Sequence, residues 1–323
     1  MSLLEVQDLH VWFDLERGGE LHAVQGVTFE LTAGERFGLV GESGCGKTTT
    51  ILALMGLLPP SASVSGRVVL DGENVLARGE RSVAPHRWRD VAMVFQGAMN
   101  AFNPVKRVGE QIAEPKELHG VAEGGDARRQ VGELLERVGI PAERAERFPH
   151  EFSGGMRQRA AIAMALSCKP RVLLADEPTT ALDVMVQAQI LELLVALADD
   201  FGLALVLVTH DLPIVAQVCD RAAVMYAGEI VESGPTDALF HSPRHPYTRL
   251  LFAATPDLYG EEDVVSIPGA PPRLDRPLVG CPFRPRCDSA FGRCVDERPA
   301  LKPVTGSQAA ACHLNEVPQE VPA

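Results

Sequence analysis

A layered α/β domain with a largely parallel sheet, followed by a small cysteine-rich extension, is the fold class this sequence predicts. Three observations carry that expectation. Short apolar strands alternate with helical periodicity from residue 36 onward and again from residue 171. A glycine-rich turn separates the first of these strands from the helix after it. Four of the seven cysteines crowd into residues 281–312, where prolines are dense and apolar residues are few.

The elements follow in order. Leu9, Val11 and Phe13 alternate with polar neighbours, as do Val27, Phe29 and Leu31, which is the period of a half-buried strand. Arg36-Phe37-Gly38-Leu39-Val40 is a short buried strand. A helix is expected from Lys47 to about Leu58, where Pro59-Pro60 stops it. Val68–Leu70 is a strand ending in the turn Asp71-Gly72. Residues 105–150 are richer in Glu, Arg and Ala, and Val131, Leu134, Leu135 and Val138 mark a mostly helical insertion. The α/β rhythm resumes with strand Val172–Ala175, helix Val186–Leu197, strand Leu203–Val208, helix Leu212–Val218 and strand Val224–Tyr226.

The 323 residues are 46% hydrophobic and 23% charged, which excludes disordered and low-complexity classes. Thirty basic against 43 acidic residues give a net charge of −13, so the positive field of a nucleic-acid binder is missing and no nucleic-acid partner is expected. The most apolar stretches, Ile51–Leu58 and Leu203–Val208, are shorter than the roughly 17–25 residues of a membrane helix. The start has no basic n-region before an apolar run, so a cytoplasmic chain with reduced thiols is expected.

Three segments carry chemistry. Gly41-Glu42-Ser43-Gly44-Cys45-Gly46-Lys47-Thr48 has the spacing of a phosphate loop, between a strand and a helix. Its backbone N–H groups would converge on phosphate, Cys45 contributing through its backbone. Lys47 would bridge the β- and γ-phosphates, and Thr48 would offer its hydroxyl to Mg²⁺. Thr49 is also among the nucleotide-binding positions. Asp176 and Glu177 end an apolar strand, where such sheets place ligands; Asp176 suits Mg²⁺ coordination and Glu177 suits polarising a water. Ser153, Gly154 and Gly155 open a helix and offer a hydroxyl, amides and a dipole to a second phosphate surface.

These segments, in this order, resemble the nucleotide-binding subunit of an ATP-binding cassette (ABC) transporter over residues 3–235. The resemblance implies a P-loop NTPase cassette with an antiparallel β subdomain, spanning 1–254, and a helical insertion at about 97–165. It implies ATP and Mg²⁺ as cofactors and ATPase activity. It matches Gln96 to the glutamine loop at Mg²⁺, Ala181-Leu182-Asp183 to a dimer-contact loop, His210 to a switch histidine at the γ-phosphate, and Phe13 to an adenine platform. Phe152 stands where leucine is usual, an apolar-for-apolar change. Two cassettes would face head to tail, with Ser153 of one capping the nucleotide held by Lys47 of the other. Two separate membrane permease subunits would receive the motion.

The tail narrows the resemblance. His245-Pro246-Tyr247-Thr248 and the cysteine-bearing segment after it are similar to ATPases of oligopeptide, dipeptide and nickel importers. Cys281, Cys287, Cys294 and Cys312, spaced C-x5-C-x6-C-x17-C within the extension 255–323, would hold Zn²⁺ or an iron–sulfur cluster, or remain free thiols. The resembled group carries a 4Fe-4S cluster there, with Zn²⁺ as the alternative. The expected role is therefore ATP-driven import of di- or oligopeptides at the cytoplasmic face of the cell membrane. The expected partners are a second, related ATPase subunit and, indirectly, an extracytoplasmic substrate-binding protein. Nickel or small glycosides as cargo, or a non-transport cytoplasmic switch, are the alternatives.

Overall fold

Alternation of apolar and polar side chains draws residues near the N-terminus into two long strands, β1 (Ser2–Asp14) and β2 (Glu20–Thr32), each extending beyond the few residues that show the pattern most clearly. In the computed structural model, which describes residues 2–16, 18–77, 79–97, 101–180, 182–254 and 267–316, they are followed by β3 (Arg36–Val40) and α1 (Lys47–Leu54). The helix ends before Leu58, a correction to the expected boundary. Gly56 takes a left-handed φ of 59°, and the Leu57 N–H turns back to Leu52 O at 2.9 Å, so the C-terminal turn closes before the prolines are reached.

The chain continues through β4 (Ala62–Leu70), β5 (Glu73–Asn74), α2 (Glu80–Val83) and β6 (Val91–Val94). The insertion is helical as expected, with α3 (Val108–Leu118), α4 (Gly124–Arg137) and α5 (Gly154–Ala165). Next come β7 (Val172–Asp176), α6 (Val184–Phe201), β8 (Ala204–Thr209), α7 (Leu212–Val218), β9 (Arg221–Tyr226) and β10 (Glu229–Pro235). Then α8 (Thr236–His241) and α9 (Pro246–Ala253) precede the extension, which contributes α10 (Arg293–Asp296), β11 (Lys302–Thr305) and β12 (Gln308–Ala310).

The structure divides into two compact units. One comprises Thr32–Glu35 and Ala77–Leu207. Its β6 and β7 pair in parallel, and every residue of both strands is buried, the signature of a strand covered on both faces. The core of the helical insertion is built from Val108, Ile112, Val131, Leu135 and Ile140, all at most 1% exposed.

The other unit comprises Ser2–Leu31, Arg36–Leu76 and Val208–Ala323. It contains the antiparallel β subdomain, ordered β2-β1-β4-β5, in which β1–β4 and β4–β5 are antiparallel. It also contains the run β11-β12-β10-β9-β3, in which β3 and β9 are parallel and the other pairs antiparallel. The extension thus adds its strands to the sheet through β10, with Glu232 opposite Ala310. Phe283 is buried against Tyr226 and Tyr247, with ring centroids 5.2 and 5.4 Å away. A segment too poor in apolar residues to build its own core shares one with β9 and α9.

Candidate functional site

The phosphate loop takes its shape from backbone crowding. A Cβ at Gly41 would stand 2.2 Å from Met225 O, and one at Gly46 2.7 Å from Ala23 O. Both glycines have positive φ, 150° and 108°, so only the residue without a Cβ fits at either place. Gly46 is the N-cap of α1, which leaves the first-turn amides at the loop. Lys47 is 5% exposed, and its Nζ donates to Gly41 O at 2.7 Å and Glu42 O at 3.0 Å. Neutral carbonyls leave the ammonium charge uncancelled, so a buried cation beside helix N-terminal amides fits an anionic phosphate. Ser43, Gly44 and Thr48 are exposed and Thr49 half-buried. The Cys45 thiol is buried, and its pKa is raised chiefly by that burial. Phe13 is half-buried near the end of β1, opposite Ala62.

In the same unit, β8 ends at Thr209, whose Oγ1 accepts the Asp211 N–H at 3.0 Å; His210 between them is exposed. Asp211 caps α7 by accepting the Ile214 N–H.

The other unit carries the carboxylates. Asp176, at the end of β7, is 1% exposed. Glu177 has a φ of 43°, a left-handed conformation that is strained for a residue with a side chain. Its Oε2 accepts from Gln96 Nε2 at 2.7 Å and from Thr180 Oγ1 at 3.0 Å. Gln96 and Glu177 are thus brought together from the segments after two neighbouring parallel strands. Ser153 caps α5, its Oγ accepting the Met156 N–H at 3.3 Å, and Gly154 and Gly155 form the first turn as the sequence predicts. Gln158, 3% exposed, donates to Pro178 O at 2.7 Å, tying α5 to the segment after β7. Asp183 caps α6, and Ala181 lies outside the described residues.

Sequence reasoning missed Thr180, Gln158 and Arg286. Thr180, a hydroxyl three residues beyond a carboxylate, was detectable as a local pair. Gln158 and Arg286 act through long-range contacts with no local signal. Arg286 forms a two-pronged ion pair with Glu42 in the phosphate loop.

All seven cysteines are free thiols. Cys281 donates its N–H to Cys294 O at 2.9 Å, and a 3-10 turn over Arg284–Arg286 leads into Cys287. Burial first, then neighbouring Cys294 and Cys287, raises the Cys281 pKa. Burial, reinforced by Cys281, Cys287 and Cys294, pushes Cys312 up to about 11. Among the described residues, no three or more His, Cys, Asp or Glu form a group able to hold a metal ion. Four thiols are the donor type that an iron–sulfur cluster uses. As arranged they are not gathered around one position, either for a cluster or for the tetrahedron of a zinc site. Among the described residues, no helix is long and apolar enough to cross a membrane.

Residues 24–180 match the ABC transporter family, and residues 231–294 match the oligopeptide/dipeptide transporter C-terminal region. The chain is 45% identical over 321 residues to the dipeptide transport ATP-binding protein DppD of Bacillus subtilis (strain 168), covering 98% of this chain and 95% of that protein. It is also 45% identical over 314 residues to the oligopeptide transport ATP-binding protein OppD of Escherichia coli (strain K12), covering 96% and 93%. Among solved structures, it superposes on a dimeric post-hydrolysis state of the ATP-binding cassette MJ0796 bound to ADP and Pi. That match has a TM-score of 0.64 at 26% identity, covering 72% of this chain and 98% of that one.

Proposed function

This chain belongs to the ATP-binding proteins of ABC peptide transporters, and from that premise we propose that it is the ATP-hydrolysing subunit of an importer of di- or oligopeptides. The observation that carries the proposal is the union, in one chain, of the cassette with the oligopeptide/dipeptide C-terminal region.

The site's chemistry follows from its residues. Amides of the loop Gly41–Gly46 and the N-terminus of α1 bind the triphosphate, Lys47 contacts the β- and γ-phosphates, and Phe13 stacks on adenine. Thr48, Gln96 and Asp176 are the oxygen donors that suit Mg²⁺, which neutralises phosphate charge when bound. Glu177 polarises the attacking water, its carboxylate aimed by Gln96 and Thr180. His210 meets the γ-phosphate. Ser153, Gly154 and Gly155 cap the nucleotide held by a second ATPase subunit. That subunit is related to this one but different, since the importers this chain resembles commonly pair two ATPases.

Exposed apolar side chains support the protein contacts of this reading. Val184 and Met185, 79% and 72% exposed, follow the dimer-contact loop. Phe95 and Val105 lie exposed on either side of the glutamine-loop region, where two membrane permease subunits would dock at the cytoplasmic face of the membrane. Cargo would reach those permeases from an extracytoplasmic binding protein. Residues 1–254 form the cassette domain and 255–323 the extension, in which Cys281, Cys287, Cys294 and Cys312 hold a 4Fe-4S cluster that stabilises the fold. Their thiolate donor chemistry and their place in one proline-rich segment with few apolar residues support the cluster.

Isolation of the tagged chain from its native membranes tests the assignment. Two permease subunits and a second ATPase should accompany it. Recovery of an active ATPase without any membrane subunit would favour the cytoplasmic-switch alternative.

A further inference from the structure

Glu42 places a carboxylate in a loop that receives phosphate, where its charge opposes that of the ligand. Arg286, in the cysteine-bearing extension, offsets it. Its Nη1 donates to Glu42 Oε2 at 2.6 Å and its Nη2 to Oε1 at 2.9 Å, a two-pronged pairing. The Arg286 side chain is 3% exposed; its Nε donates to Pro268 O at 2.8 Å, and its guanidinium lies 5.8 Å from the Tyr226 ring centroid. These contacts restrain the guanidinium at Nε, Nη1 and Nη2 together.

Glu42 is held at its backbone as well. Its N–H donates to the Tyr247 hydroxyl at 2.9 Å, and its carbonyl accepts from Lys47 Nζ at 3.0 Å and from the Cys45 N–H at 3.3 Å. Arg286 thus connects through one residue to the lysine that meets phosphate. The Arg286 N–H closes the turn onto Phe283 O, and Cys287 follows directly, so the cysteine segment sets where the guanidinium stands.

We propose that Arg286 is a positioning residue for the phosphate loop, which fixes Glu42, cancels its charge and thereby sets ATP affinity from the C-terminal extension. This inference rests on the ATP-binding reading of the loop. It makes the extension part of the nucleotide site rather than an appendage to it.

Nucleotide titration of the full chain, with steady-state hydrolysis, tests it. R286A should weaken ATP binding by about 10- to 100-fold and raise KM in step, while kcat at saturating ATP stays within about threefold. R286K, which keeps the charge but loses the fork, should fall between wild type and R286A. The decisive variant is E42Q/R286A. With the repelling carboxylate removed, it should bind ATP more tightly than R286A, a recovery that loss of packing alone would not produce. Titration of the extension's thiols reports whether each variant stays folded; where R286A does not, R286K and E42Q/R286A are compared with wild type and E42Q instead. ATP affinity within about twofold of wild type in folded R286A, or no recovery in the double variant, overturns the proposal. K47A run alongside separates the two readings: loss of binding in K47A with wild-type binding in R286A overturns the positioning role and leaves the ATP site standing.

Discussion

Gln96 Nε2 donates a 2.7 Å hydrogen bond to Glu177 Oε2, joining the residue two positions beyond β6 to the residue one position beyond β7. Thr180 donates to the same oxygen at 3.0 Å. The two bonds converge on one carboxylate oxygen and hold the side chain in place. The left-handed φ of Glu177 fits a residue held for chemistry rather than for stability.

Replacing Glu177 with Gln keeps the shape and removes the charge. Turnover should fall by about 10²- to 10⁴-fold, the usual contribution of a positioned general base, while nucleotide affinity survives. Steady-state hydrolysis and nucleotide titration of E177Q measure both. Hydrolysis within about threefold of wild type would remove Glu177 from the role.

Lys47 should matter to binding and turnover together, because its ammonium offsets phosphate charge in the ground state and the transition state alike. K47A should bind ATP at least about tenfold more weakly and lose hydrolysis. Equilibrium titration showing unchanged affinity would deny it the ground-state contact.

Anaerobically purified protein should contain about four irons per chain and be brown, with broad absorbance near roughly 400 nm. C312S should lower the iron content and destabilise the extension. Because Cys287 adjoins Arg286, C287S should also weaken ATP binding, so damage to the extension is not confined to the tail. About one zinc and no iron would replace the cluster by zinc, and four reactive thiols with neither metal would exclude both.

His245 gives stability a defined pH dependence. It is 2% exposed, its Nδ1 accepts the Tyr247 N–H at 3.0 Å, and burial, helped by Arg249, lowers its pKa to about 3. The unfolded histidine takes up a proton near 6.5 and the folded one does not, so the unfolded state binds more protons between these values. Stability should therefore fall on acidification through that window, by at most about 1.4 kcal/mol per pH unit from this residue. Glu232, whose carboxylate accepts the His245 N–H and whose pKa burial raises, acts oppositely above the ordinary carboxylate range. Comparing urea unfolding of wild type and H245N between about pH 7 and pH 5 isolates the histidine. Equal pH slopes would show that it is not buried neutral.

Much of the fold was legible in the sequence because its signals are local. The bounds of β3 and α7 coincide with the apolar runs that predict them. The phosphate loop is recognisable because backbone contacts such as Gly41 against Met225 O dictate glycine at fixed spacing. What was not legible depends on partners distant in sequence. Gln96 has no meaning until β6 pairs with β7, and β10 shows no clear alternation because its Glu232 is buried to bind Arg244, His245 and Gln308. Arg286 reads as one of several arginines in a proline-rich tail. Only the approach of residues 42 and 286 reveals what it holds.

Peptide uptake into vesicles carrying the complete transporter tests the central claim most directly. With binding protein and labelled di- or oligopeptide on one side and ATP on the ATPase side, the wild-type complex should accumulate peptide, and the E177Q complex should bind ATP yet accumulate none. Equal accumulation by the two complexes, or ATP-dependent uptake by neither, would contradict the account.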